Sequence, residues 1–275
     1  MKSFPDGKKG AGGWWDYPRF GVRVLVVARG HLLVPEVVNG FSRRGDLCRV
    51  LLIPGEAVEL AEIERLYEEA LRAVRPDFLV TVNHRGFDRE GYITRMLEGY
   101  RIPFASWYVD SPQLIIGHYE ENNSPYLTLF LWDRDYCSMF RDLGFERVQY
   151  LPLGVDEKLF SRKPSGNGSF PSMPVSFVGN SMFPKAGSKL AMSGASGKLK
   201  ERFGEISASF INAKQLVVRN FIEEHFPGCF SEFRKLGEVE AFSYETAVTW
   251  HATGLYRFRL VKHLSLYRKP DPKRF

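Results

Sequence analysis

PFASWYVDSP at 103–112, LTLFLWDRDY at 127–136 and RVQYLPLGVDEKLF at 147–160 decide how this chain folds. Each carries a short apolar run, Phe104–Val109, Leu127–Trp132 and Val148–Leu153, and each run stops at a polar or glycine-bearing turn. The turns are Asp110-Ser111-Pro112, Asp133-Arg134-Asp135 and Gly154-Val155-Asp156. Apolar runs of this length bounded by turn residues read as strands buried on both faces, the habit of a parallel sheet. Ligands of open α/β sheets bind beyond the carboxyl ends of the strands, so the polar turn residues gather where a site belongs.

Upstream, the same unit repeats. VRVLVVA at 22–28 is a first strand, and Arg29-Gly30-His31 leads into a helical stretch ending near Arg44. CRVLLIP at 48–54 is a second strand. Leu60, Ile63, Leu66, Ala70, Leu71 and Val74 recur at helical spacing over 59–74, and Pro76 stops that helix. Residues 77–82 form a third strand, and Asp88 is placed to cap a helix reaching about Tyr100. Strand starts recur every 20 to 29 residues, the period of βα units. A Rossmann-like parallel lobe over residues 21–160 follows, after a tail at 1–20 in which Trp14 and Trp15 are candidate anchors.

Downstream, SRKPSGNGSFPSMP at 161–174 loses all periodicity and reads as a linker. A buried strand is expected at Val175–Val178, ending in Gly179-Asn180-Ser181. Helices are expected over 198–226 and 243–264. The second lobe, 175–264, thus opens like an α/β domain and continues as helix, with a basic tail at 265–275.

Composition narrows the function classes. The chain has 275 residues, 44% hydrophobic and 25% charged, an ordinary globular balance. No apolar run approaches the roughly 20 residues that span a bilayer, and the N-terminus has no secretory h-region. Cys48, Cys137 and Cys229 are scattered, with neither metal-ligand spacing nor a disulfide framework, which fits a cytoplasmic protein. The net charge of +6 resides entirely in residues 256–275, where seven basic residues face Asp271 alone. A polyanion reader should spread its charge over a folded face, so nucleic acid is not an expected partner. The GxGxxG fingerprint is absent after the first strand, where Ala28-Arg29-Gly30-His31 stands, which argues against a dinucleotide cofactor.

Several segments together resemble the CgeB/YkvP-like glycosyltransferase family and the N-terminal domain that often precedes it. They are VNHRGFD at 82–88, WYVDSP at 107–112, FLWDRDY at 130–136, YLPLGVD at 150–156 and VSFVGN at 175–180, with a weaker match in TWHATGLYRFRLVKHL at 249–264. The resemblance implies a GT-B architecture: an acceptor-side first lobe and a donor-side second lobe that binds a nucleotide sugar. It implies no cofactor beyond that co-substrate, and a glycan, protein or lipid-linked acceptor. The family continues with further donor-lobe strands, whereas this chain ends in SLYRKPDPKRF, so a truncated donor lobe is expected. Two readings follow: a glycosyltransferase, or a binding module retaining only the acceptor-side lobe. Peripheral membrane association and self-association through the incomplete lobe are further expectations.

Candidate residues fall at the strand ends. By positional analogy with inverting GT-B enzymes, His31 is a candidate general base, and Asp110 would orient it; packing at the next helix is the alternative. Asn83 and His84 are acceptor-side candidates or loop residues. Ser111, next to Asp110, belongs to a polar clamp or a simple turn, and Trp107 to a stacking surface or cleft wall. Gly179, Asn180 and Ser181 are donor-side candidates, because a glycine turn before a helix admits a diphosphate; an ordinary βα turn has the same look. Asp133-Arg134-Asp135 has the form of a metal-binding DxD, but capping of the helix at Tyr136 explains it as well, and no metal is expected.

Overall fold

A computed structural model of the chain describes residues 21–55, 58–116, 120–157 and 177–266, and the backbone of 8–9 and 15–16. The chain divides into two compact units, residues 1–163 and 164–275. The linker expected at 161–174 and the basic tail beyond Leu266 lie outside the described residues.

The first unit is a six-stranded parallel sheet: β1 (Arg23–Ala28), β2 (Leu47–Leu52), β3 (Phe78–Val82), β4 (Phe104–Tyr108), β5 (Leu127–Leu131) and β6 (Val148–Tyr150). Their order across the sheet is β2-β1-β3-β4-β5-β6, all pairs parallel. This is a Rossmann-like α/β arrangement. The chain steps one way from β1 to β2 and the other way from β2 to β3, so the topological switch point falls between β1 and β3. In the N-terminal stretch expected as a tail, Lys8-Lys9 and Trp15-Asp16 form a short antiparallel pair.

The sheet buries different side chains on its two faces, as period-two alternation requires. Leu25, Val27, Leu79, Phe104, Tyr108, Leu129 and Leu131 join one large core with Ile63, Tyr67 and Leu71 of α2 (Leu60–Val74). Ile93 and Leu97 of α3 (Tyr92–Gly99) and Phe140 of α5 (Tyr136–Asp142) complete it. Between them lies the single turn α4 (Gln113–Ile116). The opposite face is covered by α1 (Val34–Arg43), whose Val34, Val37, Val38 and Phe41 pack on Val24, Val26 and Val80. Past Ala105 on that face, Trp107, Thr128 and Phe130 are only half-buried.

Local rules account for the junctions. Asp88 accepts the backbone N–H groups of Tyr92 and Ile93, both at 2.8 Å, and so caps α3 as its sequence position predicts. Gly86 has φ +94°, and a Cβ there would lie 2.5 Å from Val27 Cγ1, so only glycine fits. Tyr67 seals this corner by donating its buried hydroxyl to the Gly86 carbonyl at 3.0 Å.

The regular elements among the described residues of the second unit are all helices: α6 (Phe183–Met192), α7 (Gly197–Glu201), α8 (Phe203–Phe210), α9 (Val218–His225), α10 (Pro227–Phe233) and α11 (Glu238–Leu266). Leu199, Ile206, Ile222, Phe233, Tyr244 and Val248 form its core. The buried strand expected at Val175–Val178 is corrected here. Residues 175 and 176 are outside the described set, while Phe177 and Val178 are irregular and exposed, Val178 to 95%. With no neighbouring strand among the described residues to take its N–H and C=O groups, an apolar run alone does not make a strand. The helices α6 and α10 were not expected, and α11 begins five residues before the expected start.

Candidate functional site

The carboxyl ends of the strands carry the site. Beyond β1, β4 and β6, on the side covered by α1, lies a crevice of about 600 Å³. Its apolar wall is Leu32, Leu33, Val37, Trp107, Leu153 and Val155, and its polar rim is Glu36, Arg43 and Asp156. The segment after β6 forms one wall because it is tied to α1: Arg43 is ion-paired with Asp156, and Asn39 Nδ2 donates to the same carboxylate at 3.4 Å. Only 4% of the Asp156 side chain is exposed, so this anion is held inside protein by its cation. Arg43 sits in the last turn of α1, where a cation also suits the helix dipole.

A second construction joins the ends of β3 and β4. Asn83 adopts φ +55° and His84 φ +56°, two successive left-handed residues directly after β3. Asparagine tolerates this region better than most residues. Its side chain holds the turn: Nδ2 donates to Asp110 Oδ2 at 2.7 Å, and Oδ1 accepts the N–H groups of Val109 at 2.9 Å and Asp110 at 3.3 Å. Across the switch point, Arg85 donates to the Arg29 carbonyl at 2.8 Å and ties the β3 loop to the β1 loop.

The expected site residues divide between surface and interior. Trp107 lines the crevice. His31 is exposed in the bend after β1 and Asp110 is exposed after β4, and no hydrogen bond joins them; the Asp110 carboxylate is engaged by Asn83 instead. Ser111 shares a hydrogen bond with the Tyr136 hydroxyl at 3.2 Å.

His84, expected on the acceptor side, turns into the core at 2% exposure. It packs against Phe87 and Tyr108, and Nε2 lies 3.3 Å from Asn122 Oδ1. Asn122 spends its amide protons on the carbonyls of Asp88 and Arg89, so its oxygen is an acceptor and the ring proton belongs on Nε2. Burial drives the pKa of this histidine down to about 4, the bond to Asn122 offsetting part of the shift. A neutral ring enclosed in this way supports the turn and does not meet a ligand.

Asp133 Oδ1 accepts the N–H of Asp135 at 3.0 Å, a local turn bond just ahead of α5. Among the described residues no cluster of histidine, cysteine or carboxylate side chains could hold a metal ion. In the second unit, Gly179, Asn180 and Ser181 form an exposed, irregular approach to α6. Asn180 Oδ1 accepts the N–H of Met182 at 2.7 Å, and the Asn180 carbonyl accepts from Arg257 at 2.7 Å. The strand that a phosphate-binding βα turn requires is missing from residues 177–178, and the triplet is instead a helix entry fixed by α11.

The sequence reading did not find the wall built by Leu32, Leu33, Val37 and Leu153, nor the Arg43–Asp156 tie. These residues are ordinary in isolation, and pairs 113 residues apart leave no local signal. Compared with known family models, curated proteins and solved structures, the chain matches none.

Proposed function

We propose that the parallel-sheet unit binds a sugar-bearing ligand in the Trp107 crevice, as the acceptor-side part of a GT-B-type glycosyltransferase-like protein. The observation that carries this reading is the crevice itself. It sits at the carboxyl edge of a parallel sheet, with an aromatic and aliphatic wall and a rim of one cation and two carboxylates. A pyranose has one apolar face and a ring of hydroxyls, and it needs both kinds of surface. The co-substrate on this reading is a nucleotide sugar. His31 is the proposed base, approached by the acceptor hydroxyl from the solvent side, with no metal taking part.

A second reading is favoured by one feature: Asp110 is bonded to Asn83 and not to His31, so the proposed catalytic pair is not assembled. On that reading the unit binds sugar without turning it over. One experiment separates the two. Purified protein is screened against glycans and nucleotide sugars by thermal shift, with free nucleoside diphosphate measured in parallel. Saturable stabilisation lost in Trp107→Ala, with diphosphate release, supports transfer; the same stabilisation without release supports binding alone. Stabilisation by no sugar compound, from a protein that melts cooperatively, sinks both.

A further inference from the structure

One charge in the crevice beside α1 has no counterpart among the described residues. The charged residues of its lining are Glu36, Arg43 and Asp156. Two of them belong to each other, since the Arg43 guanidinium is engaged by the enclosed Asp156 carboxylate. Glu36 lies seven residues before Arg43 on the same helix, about 10 Å along its axis, too far to share that cation. No hydrogen bond or ion pair from a described residue reaches the Glu36 carboxylate.

The surroundings of this carboxylate make it matter. Glu36 is half-buried, and the crevice it lines is walled by Leu33, Val37, Trp107 and Val155. Its negative charge suits the first turn of α1, but an anion partly withdrawn from water among apolar groups is poorly screened and draws a cation strongly. The floor beside it is open. Gly40, one turn further along α1, lines the same crevice, and a Cβ there would meet nothing within 4 Å. Glycine is the poorest helix former after proline, and a side chain would fit, so packing gives no reason for it here. Without a side chain at this position, a ligand has room between the walls.

We propose that the ligand of this crevice is an amino sugar with a free amine, its ammonium paired with Glu36, its apolar ring face against Trp107 and its body over Gly40. The assignment rests on the sugar-binding reading above and narrows it. A sugar hydroxyl would bond to the carboxylate but leave its charge unanswered, whereas an ammonium supplies three N–H donors and the missing cation together. An N-acetyl group brings no charge, and a uronic acid or sugar phosphate would set a second anion against Glu36.

The test is isothermal titration of the full chain with the glucosamine disaccharide and with its N-acetylated form, at mildly acidic pH so that the amines are charged. The free amine should bind about tenfold more tightly, the scale of a charge-assisted hydrogen bond, and high salt should narrow the difference. Glu36→Gln should weaken binding of the free amine by about tenfold and so abolish the difference. Gly40→Leu, at an exposed position with room for the side chain, should fill the floor and abolish binding of both sugars. Equal or tighter binding of the acetylated form overturns the amine assignment and leaves the sugar reading standing, as does a preference that survives Glu36→Gln. Binding of neither disaccharide also overturns the assignment, and the sugar reading falls with it only if the wider glycan screen is blank. Binding that Gly40→Leu leaves unchanged would put the sugar outside the crevice and remove both. The comparison of the two sugars needs no substitution, so it decides the matter even where a variant fails to fold.

Discussion

The side chain of Asn83 spans the ends of two strands, giving its amide proton to Asp110 at 2.7 Å while its carbonyl takes the N–H of Val109 at 2.9 Å. One short polar residue thereby fixes a left-handed turn, the direction of the chain after β4 and the position of a carboxylate at the sheet edge. Asn83→Ala leaves Val109 and Asp110 without these partners and puts alanine at positive φ. Thermodynamic stability should fall by about 1–3 kcal/mol, measured by denaturant unfolding. Asn83→Asp keeps the shape but sets a second carboxylate against Asp110. Its penalty should exceed that of alanine at neutral pH and shrink as acid protonates one of the pair; a pH-independent penalty would refute the role given to this bond.

His84 gives the fold a pH dependence whose sign follows from its burial. Desolvation lowers its pKa from 6.5 to about 4 in the folded chain, so the unfolded chain binds the proton more readily between those values. The folded state then has its full stability above pH 6.5 and loses it as the pH falls toward 4, by on the order of 3 kcal/mol over the interval. His84→Phe places an uncharged ring beside Phe87 and Tyr108 and should flatten this part of the profile, whatever it does at neutral pH. Stability measured by denaturant at several pH values decides it, and an unchanged slope would show that other groups carry the dependence.

What the sequence made legible was what repeats locally. Contiguous apolar runs bounded by turn residues placed six strands over residues 22–150, and Asp88 and Pro76 marked real helix boundaries. The second unit was read poorly for a physical reason. Val175–Val178 is a short apolar run, and whether such a run pairs depends on partners that no local pattern supplies. His84 misled in the same way: a polar residue after a strand is read as facing the ligand edge, but its φ of +56° turns the ring into the core. Trp107 was found because aromatic residues at strand ends are conspicuous, whereas Leu33, Val37 and Leu153 become a wall only when α1 and the segment after β6 meet.

That meeting depends on the Arg43–Asp156 pair. Asp156 is almost wholly enclosed, and replacing Arg43 by methionine keeps the apolar stem but removes the cation from this carboxylate. Removing one partner of an enclosed pair costs more than the pair contributes, here about 1–3 kcal/mol. Amide hydrogen exchange should accelerate over 151–156 in Arg43→Met, while α3 and its Asp88 cap keep their protection. A ligand of the crevice should bind more weakly to this variant. Uniform exchange across the unit, equal to wild type, would show that the wall stands without the ion pair.

Two helix glycines of the second unit should respond to alanine with opposite signs. Gly187, within α6, has open space around the position of a Cβ, and Gly187→Ala should gain about 0.5–1 kcal/mol from helix propensity. Gly254 lies where α11 crosses the entry to α6, and a Cβ there would fall 2.5 Å from the Ser181 carbonyl oxygen and 2.9 Å from the Phe183 ring. The oxygen belongs to backbone and cannot swing aside, so relief requires α6 and α11 to separate. The strain of such overpacking is about 1–3 kcal/mol and outweighs the propensity gained, so Gly254→Ala should be destabilising overall. Paired unfolding curves of the two variants test this. A stabilised Gly254→Ala protein would mean that the α6–α11 contact is looser than its geometry.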